Sequence, residues 1–196
     1  MSNPLILDAP PETGVTFPPE RLAKKEEKIW RDLQAILLFF LLGQLKKAQA
    51  RAQGLQLIDE QFRLLVEEIN EFYRDEGLSG QLAPESAELR KTRARITEEF
   101  DKILDGEDHW ATPEGVKQST GMLAILITLA VAATITVSVA RKTADVKLVW
   151  KTMEDNSVCE ICEGFKGEYD PHDPNLPEIP PHPGGRCWWV IVFEER

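Results

Sequence analysis

The sequence has little of what a secreted or catalytic protein needs. Only 3 of its 196 residues are cysteine, an odd number that cannot pair fully within one chain, and two of them, Cys159 and Cys162, form a C-x-x-C. That usage disfavours a secreted disulfide scaffold and points to a metal site in a reducing compartment, so a cytosolic birthplace is expected. Met1 to Phe17 has no basic stretch followed by an apolar run and a small-residue cleavage site. This excludes a secretory signal of the usual form, and the N-terminus is expected to be mature as written. Positive charge is scarce too: 23 Lys and Arg face 33 Asp and Glu, a formal net charge of -10. Such a balance repels a phosphate backbone and disfavours sequence-nonspecific nucleic-acid binding. None of the three histidines opens an H-x-E, and there is no P-loop, G-x-S-x-G or H-E-x-x-H. Nothing assembles a catalytic centre, and the chain is not expected to be an enzyme.

What is present is 42% hydrophobic and 29% charged residues, enough to bury a sizeable core in one domain or two small ones. Five of the 13 prolines lie between Pro4 and Pro19 and six between Pro171 and Pro183. The first group predicts an extended arm over residues 1–17 that folds only against something else, either a neighbouring subunit or nothing at all. A helical body is expected over 18–144. Leu22, Ile29, Leu33, Ile36, Leu37, Phe40, Leu41 and Leu45 keep close to the helical period. They predict one long helix from about Glu20 to Gln53, starting at a proline pair and stopping near Gly54. Ala35 to Leu42 is apolar on every face, which requires neighbours all round, with Trp30 as an anchor at its edge. Ile58, Phe62, Leu65, Val66, Ile69 and Phe72 predict a second helix. Leu89, Ile96, Phe100 and Ile103 mark a third, from about Pro84 to Leu104, whose Arg90, Lys91, Arg93 and Arg95 are expected to form a solvated face rather than a phosphate contact.

Thr112 as N-cap and Pro113 as first helical residue open a fourth helix. It runs through Gln118 to Ala140 without a single charge. The run is long enough for a bilayer and is flanked by Lys117 and Arg141-Lys142. Its small and hydroxylated residues, and the lack of aromatics at its ends, suit a buried central helix better than a constitutive span.

Residues 145–196 read as a small β module. Leu148 to Trp150 and Trp188 to Phe193 are β-prone and are expected to pair as antiparallel strands, too few to stand without a staple. The staple is a ligand set of Cys159, Cys162, His182 and Cys187. Thiolates and imidazole in that ratio suit tetrahedral zinc, and a closed four-ligand set is structural. Gly164 supplies the freedom of a knuckle. His172 is a spare candidate for the imidazole, and His109 reads as a surface residue. Reduced thiols buried in a small core are the alternative; a redox C-x-x-C fits less well, because Gly164 and Gly167 break the helix it would need. The fold class expected is thus α+β, a mainly α-helical body with a small zinc-stapled C-terminal β module.

The ordered words Trp150-Lys151-Thr152, Asp155, Val158-Cys159-Glu160-Ile161-Cys162, Gly164, Gly167, Pro180-Pro181-His182-Pro183 and Arg186-Cys187 resemble the closing signature of the phage Mu F-like minor head proteins, also called the phage head morphogenesis family. The resemblance covers about Ala140 to Trp188. It departs at Gly185, where the family usually has a cysteine; Cys187 still completes four ligands. The resemblance implies a structural minor head (capsid) protein of a tailed phage, portal-associated, assisting head morphogenesis and genome packaging or release. The implied partners are the portal protein, other head proteins or neighbouring copies, with packaged DNA touched only indirectly. The implied location is the virion, in the head interior or at the portal vertex, after assembly in the host cytoplasm. A rival reading from the 118–140 run is a membrane-active virion protein that inserts this segment during ejection.

Overall fold

The structure is a computed structural model and describes residues 14–106, 112–152, 160–181 and 185–194. Its elements are β1 (Gly14–Val15), α1 (Pro19–Leu41), α2 (Lys47–Asp75), α3 (Ala87–Asp105), α4 (Pro113–Lys142), β2 (Val146–Thr152), α5 (Glu160–Gly164), β3 (Glu168–Tyr169) and β4 (Cys187–Phe193). Four long helices and a four-stranded antiparallel sheet of order β1-β4-β2-β3 make the α+β fold that the sequence suggests.

The single helix expected over Glu20 to Gln53 is a helical hairpin. Gly43, at φ 72°, takes the left-handed position after α1. Its amide donates to the Phe40 carbonyl and the Gln44 amide to the Phe39 carbonyl, both at 2.9 Å, the bond pair of a Schellman stop. The chain then reverses, and the Gln49 side chain accepts the Lys46 amide at 3.0 Å to start α2. Gly54, expected to end the helix, lies inside α2. There the ring of Phe100 from α3 comes so near that an added Cβ would fall 2.1 Å from its Cζ. The absence of a side chain lets α2 and α3 approach.

Helix α4 is the axis of the body, with α1, α2, α3 and the sheet packed around it. Thr112 caps it by accepting the Gly115 amide at 3.0 Å, and Pro113 occupies the first turn. Among the described residues it is the one helix long and apolar enough to cross a membrane, yet 78% of its most apolar window is buried within the protein. Its hydroxyls show how an uncharged helix carries polar groups into a core. Thr120, Thr128 and Thr136 donate back to carbonyls four residues earlier, at 2.7, 3.1 and 2.8 Å. Other bonds reach across: Thr136 to the Tyr73 hydroxyl (2.7 Å), Thr134 to Thr92 (2.8 Å) and Ser138 to the Gly80 carbonyl (2.7 Å). The β-branched stretch near its end stays helical, because these bonds and the surrounding helices outweigh strand preference.

Tyr73 gives this packing a pH dependence. Burial pushes its hydroxyl up to about 12, against the smaller opposing effects of its bonds to Thr136 and the Phe17 main chain. The unfolded chain loses this proton near pH 10, before the folded chain does, so the folded state binds more protons between the two values. Stability is therefore full below pH 10 and is expected to fall by about 2–3 kcal/mol as pH rises towards 12. Urea titrations of Tyr73→Phe against the parent chain check this: the variant should lose that part of the alkaline slope.

The sheet is not a separate unit. Leu148, Trp150, Trp189 and Ile191 belong to the same hydrophobic core as Leu33, Tyr73 and Val131. The end of the expected arm is also built in: Gly14 and Val15 pair with Val192 and Ile191, and Phe17 is buried with its ring 5.4 Å from that of Phe72. Residues 1–13 lie outside the described residues.

Candidate metal centre

Strands β2 and β4 run in register from Val146 opposite Phe193 to Thr152 opposite Cys187. The Trp150 amide donates to the Gly167 carbonyl at 3.0 Å, on the β3 side. The Trp189 carbonyl accepts the Thr16 hydroxyl at 3.1 Å, on the β1 side. Neither residue turns its main chain across the β2–β4 seam. Trp150–Trp189, and by alternation Leu148–Ile191 and Thr152–Cys187, are thus non-hydrogen-bonded pairs, the class with side chains closest, at Cα separations of about 4.5 Å. All six side chains are buried.

Cys162 arrives from α5. Phe165, just after this short helix, donates its amide to the Cys162 carbonyl at 3.4 Å and sets its ring 5.2 Å from that of Trp150. Trp150 also meets Trp189 edge to face at 5.1 Å. This aromatic stack seats the α5 turn on the face that carries Thr152 and Cys187. Cys162 and Cys187 are both buried in the common core.

Two flanks hold the site. On one, the Arg95 guanidinium donates to the Pro180 carbonyl and pairs with Glu178 at 3.5 Å, while Lys91 pairs with Glu178 at 3.1 Å. The basic cluster of α3 faces solvent as expected, with Arg90, Lys91 and Arg93 exposed. From that face the partly buried Arg95, with Lys91, also reaches the proline-rich loop that leads to His182, and Arg93 pairs with Asp59 on α2. On the other flank, Arg186 lies beside Glu26 of α1, whose carboxyl is raised above the ordinary range by burial despite the pull of that guanidinium.

Of the four predicted ligands, Cys187 lies buried opposite Thr152 and Cys162 lies buried in α5, whereas Cys159 and His182 lie outside the described residues, as does His109. Among the described residues no three metal-ligating side chains form a group. His172 stands at the far end of the sheet, in a groove lined by Val146, Lys147 and Glu194. Six strand residues, about 20 Å, separate that end from Thr152, so His172 cannot share an ion with Cys187.

Cys162 and Cys187 are thus the two described members of the predicted ligand set. Besides the two buried sulfurs, Trp150 Nε1 and Thr152 Oγ1 are buried and have no hydrogen-bond partner among the described residues. Orphaned polar atoms of this kind are rare. Sequence reading gave these two residues no role at the site. The signal that could have found them is the two-residue spacing of Trp150 and Thr152, which puts both on one strand face. No protein-family model matches the chain, and no curated protein or solved structure is significantly similar to it.

Proposed function

We propose that this chain is a structural minor head protein of a tailed phage, bound at the portal, whose C-terminal sheet is stapled by zinc to the rest of the fold. The observation that carries the reading is the Thr152–Cys187 register: it joins at one end of the sheet words of the head-protein signature that lie 35 residues apart in the sequence. Cys159, Cys162, His182 and Cys187 would hold the ion, and a closed set of four gives it a cross-linking role with no position for substrate. The proposal assigns the chain no reaction.

The run from Ala35 to Leu42, apolar on every face, is covered only in part by the protein itself. Trp30 is engaged within the protein, its indole donating to the Lys117 carbonyl at 3.1 Å and lying against Gly121. Leu37 is fully buried, and Phe40 is half-buried against the core. What remains open is a stripe at the tip of the α1–α2 hairpin, Ala35, Phe39 and Leu42, with Phe39 50% and Leu42 67% exposed. Trp30 meets α4 near its start, and α1 continues for another 11 residues, about 16 Å, so the tip projects past that end of α4. An apolar projection of this kind suits insertion between subunits of a ring.

Phe39→Asp tests the proposal. The side chain is exposed enough that stability should change by less than about 0.5 kcal/mol, while co-purification with the portal protein should be lost and the variant should be missing from assembled heads. A folded variant that still co-purifies with the portal would reject the hairpin tip as the contact; failure of the parent chain to bind any portal would reject the function. The membrane-active reading would require α4 to leave the helices that bury it, and flotation of the parent chain with liposomes at neutral pH is expected to leave it in the soluble fraction.

A further inference from the structure

We propose that the slot of the portal that receives the hairpin tip is apolar within and carries carboxylates at its mouth, and that Lys46 is the residue that pairs with them. The inference rests on the portal reading above and adds to it the chemistry of the receiving surface.

Between Asp32 and Asp59 the chain has no acidic residue, although 33 of its 196 residues are Asp or Glu. The charges of that stretch are Lys46, Lys47 and Arg51, and the tip of the hairpin lies within it. Two of these cations are answered by α3: Lys47 pairs with Asp105, and Arg51 donates to both carboxylate oxygens of Asp101 at 2.8 and 2.9 Å. Lys46 is exposed and has no ion pair among the described residues. It also stands close to the apolar stripe. The Phe39 carbonyl accepts the amides of Gln44 and Leu45 at 2.9 and 3.2 Å, so the chain has folded back onto Phe39 one residue before Lys46. The tip thus presents Phe39 and Leu42, 50% and 67% exposed, beside one uncompensated cation.

Apolar side chains alone would suit any greasy slot. The cation chooses among them, because a mouth lined by carboxylates gives Lys46 a partner and a basic mouth repels it. The rest of the molecule sharpens that choice. A chain of net charge -10 is repelled by an acidic partner as a whole, and least at an end free of unpaired carboxylates, so approach with the tip foremost is the favoured orientation. An anionic lipid surface has the same sign of charge but asks for more of it: such surfaces are recognised by clusters of about four to eight Lys or Arg, and the tip has Lys46 alone to spare.

The test follows association of the whole chain with purified portal rings at rising salt. Attraction through the tip should make association of the parent slower as salt rises, although its net charge is negative. Lys46→Glu should weaken binding by about tenfold and reverse the salt trend. Lys28→Glu, the same change at an exposed lysine of α1 that lies 11 residues before Phe39, should stay within about twofold of the parent. Both variants should keep the circular dichroism of the parent. Vesicles of phosphatidylserine and phosphatidylcholine form the second arm, and the parent should not float with them. A parent chain that binds no portal ring would overturn the portal reading and this inference together. Portal binding that Lys46→Glu leaves unchanged, or that quickens in the parent as salt rises, would overturn the carboxylate mouth and leave the portal reading in place. Flotation of the parent that Lys46→Glu abolishes would overturn it in favour of a lipid surface.

Discussion

Gly54→Ala is expected to destabilise the protein by about 1–3 kcal/mol, although alanine is the better helix former. A glycine in a helix interior costs about 1 kcal/mol relative to alanine, so on propensity alone the change would stabilise α2. Packing reverses the sign. The new methyl would lie 2.1 Å from Phe100 Cζ, 2.5 Å from Cε1 and 3.0 Å from Cε2, so the ring must move. Phe100 is fully buried, and it can yield only by displacing its neighbours or by parting α2 from α3. Thermal or urea unfolding of the single variant measures the loss. The double variant Gly54→Ala, Phe100→Leu should regain part of it, because the smaller side chain makes room; a double variant no better than the sum of the two single changes would show that the clash is not the cause.

Under the zinc reading, a strong chelator is expected to lower the thermal midpoint by roughly 10–20 °C. Structural zinc supplies on the order of 10 kcal/mol in small peptides that cannot fold without it. Here the sheet already shares a core with the helices, so roughly half that is expected, and in a domain of this size each kcal/mol moves the midpoint by about 2–4 °C. The damage should be local. Trp150–Trp189 is the cross-strand pair next to Thr152–Cys187 on the same sheet face, so tryptophan fluorescence should change, while the helical circular dichroism of the body persists. Elemental analysis beforehand should give one zinc per chain. A chain that carries no metal, or that keeps its midpoint after complete removal, would sink the staple.

How far the fold was legible follows from what each residue answers to. The start of α4 was readable because Thr112 and Pro113 act within their own turn. The end of α3 was too, where Gly106 takes the left-handed position after Asp105. The break at Gly43 was not read, because the apolar period continues across it: both arms of the hairpin turn one side to the same core, and Leu45 keeps the spacing on the far side of the turn. Gly54 looked like a stop because its actual reason, the ring of Phe100, stands 46 residues further along the chain. The two long strands announced themselves by composition, whereas β1 and β3, two residues each, exist only because a partner strand is beside them. At the site, ligand spacing pointed to Cys162 and Cys187. The place of Thr152 opposite Cys187 depends on the register of two distant strands, and that information is tertiary.

The pairing of β1 with β4 has a consequence for how the chain reaches this state. The Thr16 hydroxyl and the Trp189 carbonyl meet across 173 residues, and β4 is the partner of both β1 and β2. On a ribosome the helices can form and dock as they emerge, since their contacts are made among segments already synthesised, but β1 has no neighbour until β4 has emerged, and until then β2 has only the two-residue β3 beside it. Until then the apolar face of β2 and the residues around Phe17 stand open to other chains. The interval before β4 has emerged is therefore the one in which a chaperone or an assembly partner has most to protect, and a chain cut before Cys187 is expected to keep its helices without closing its sheet.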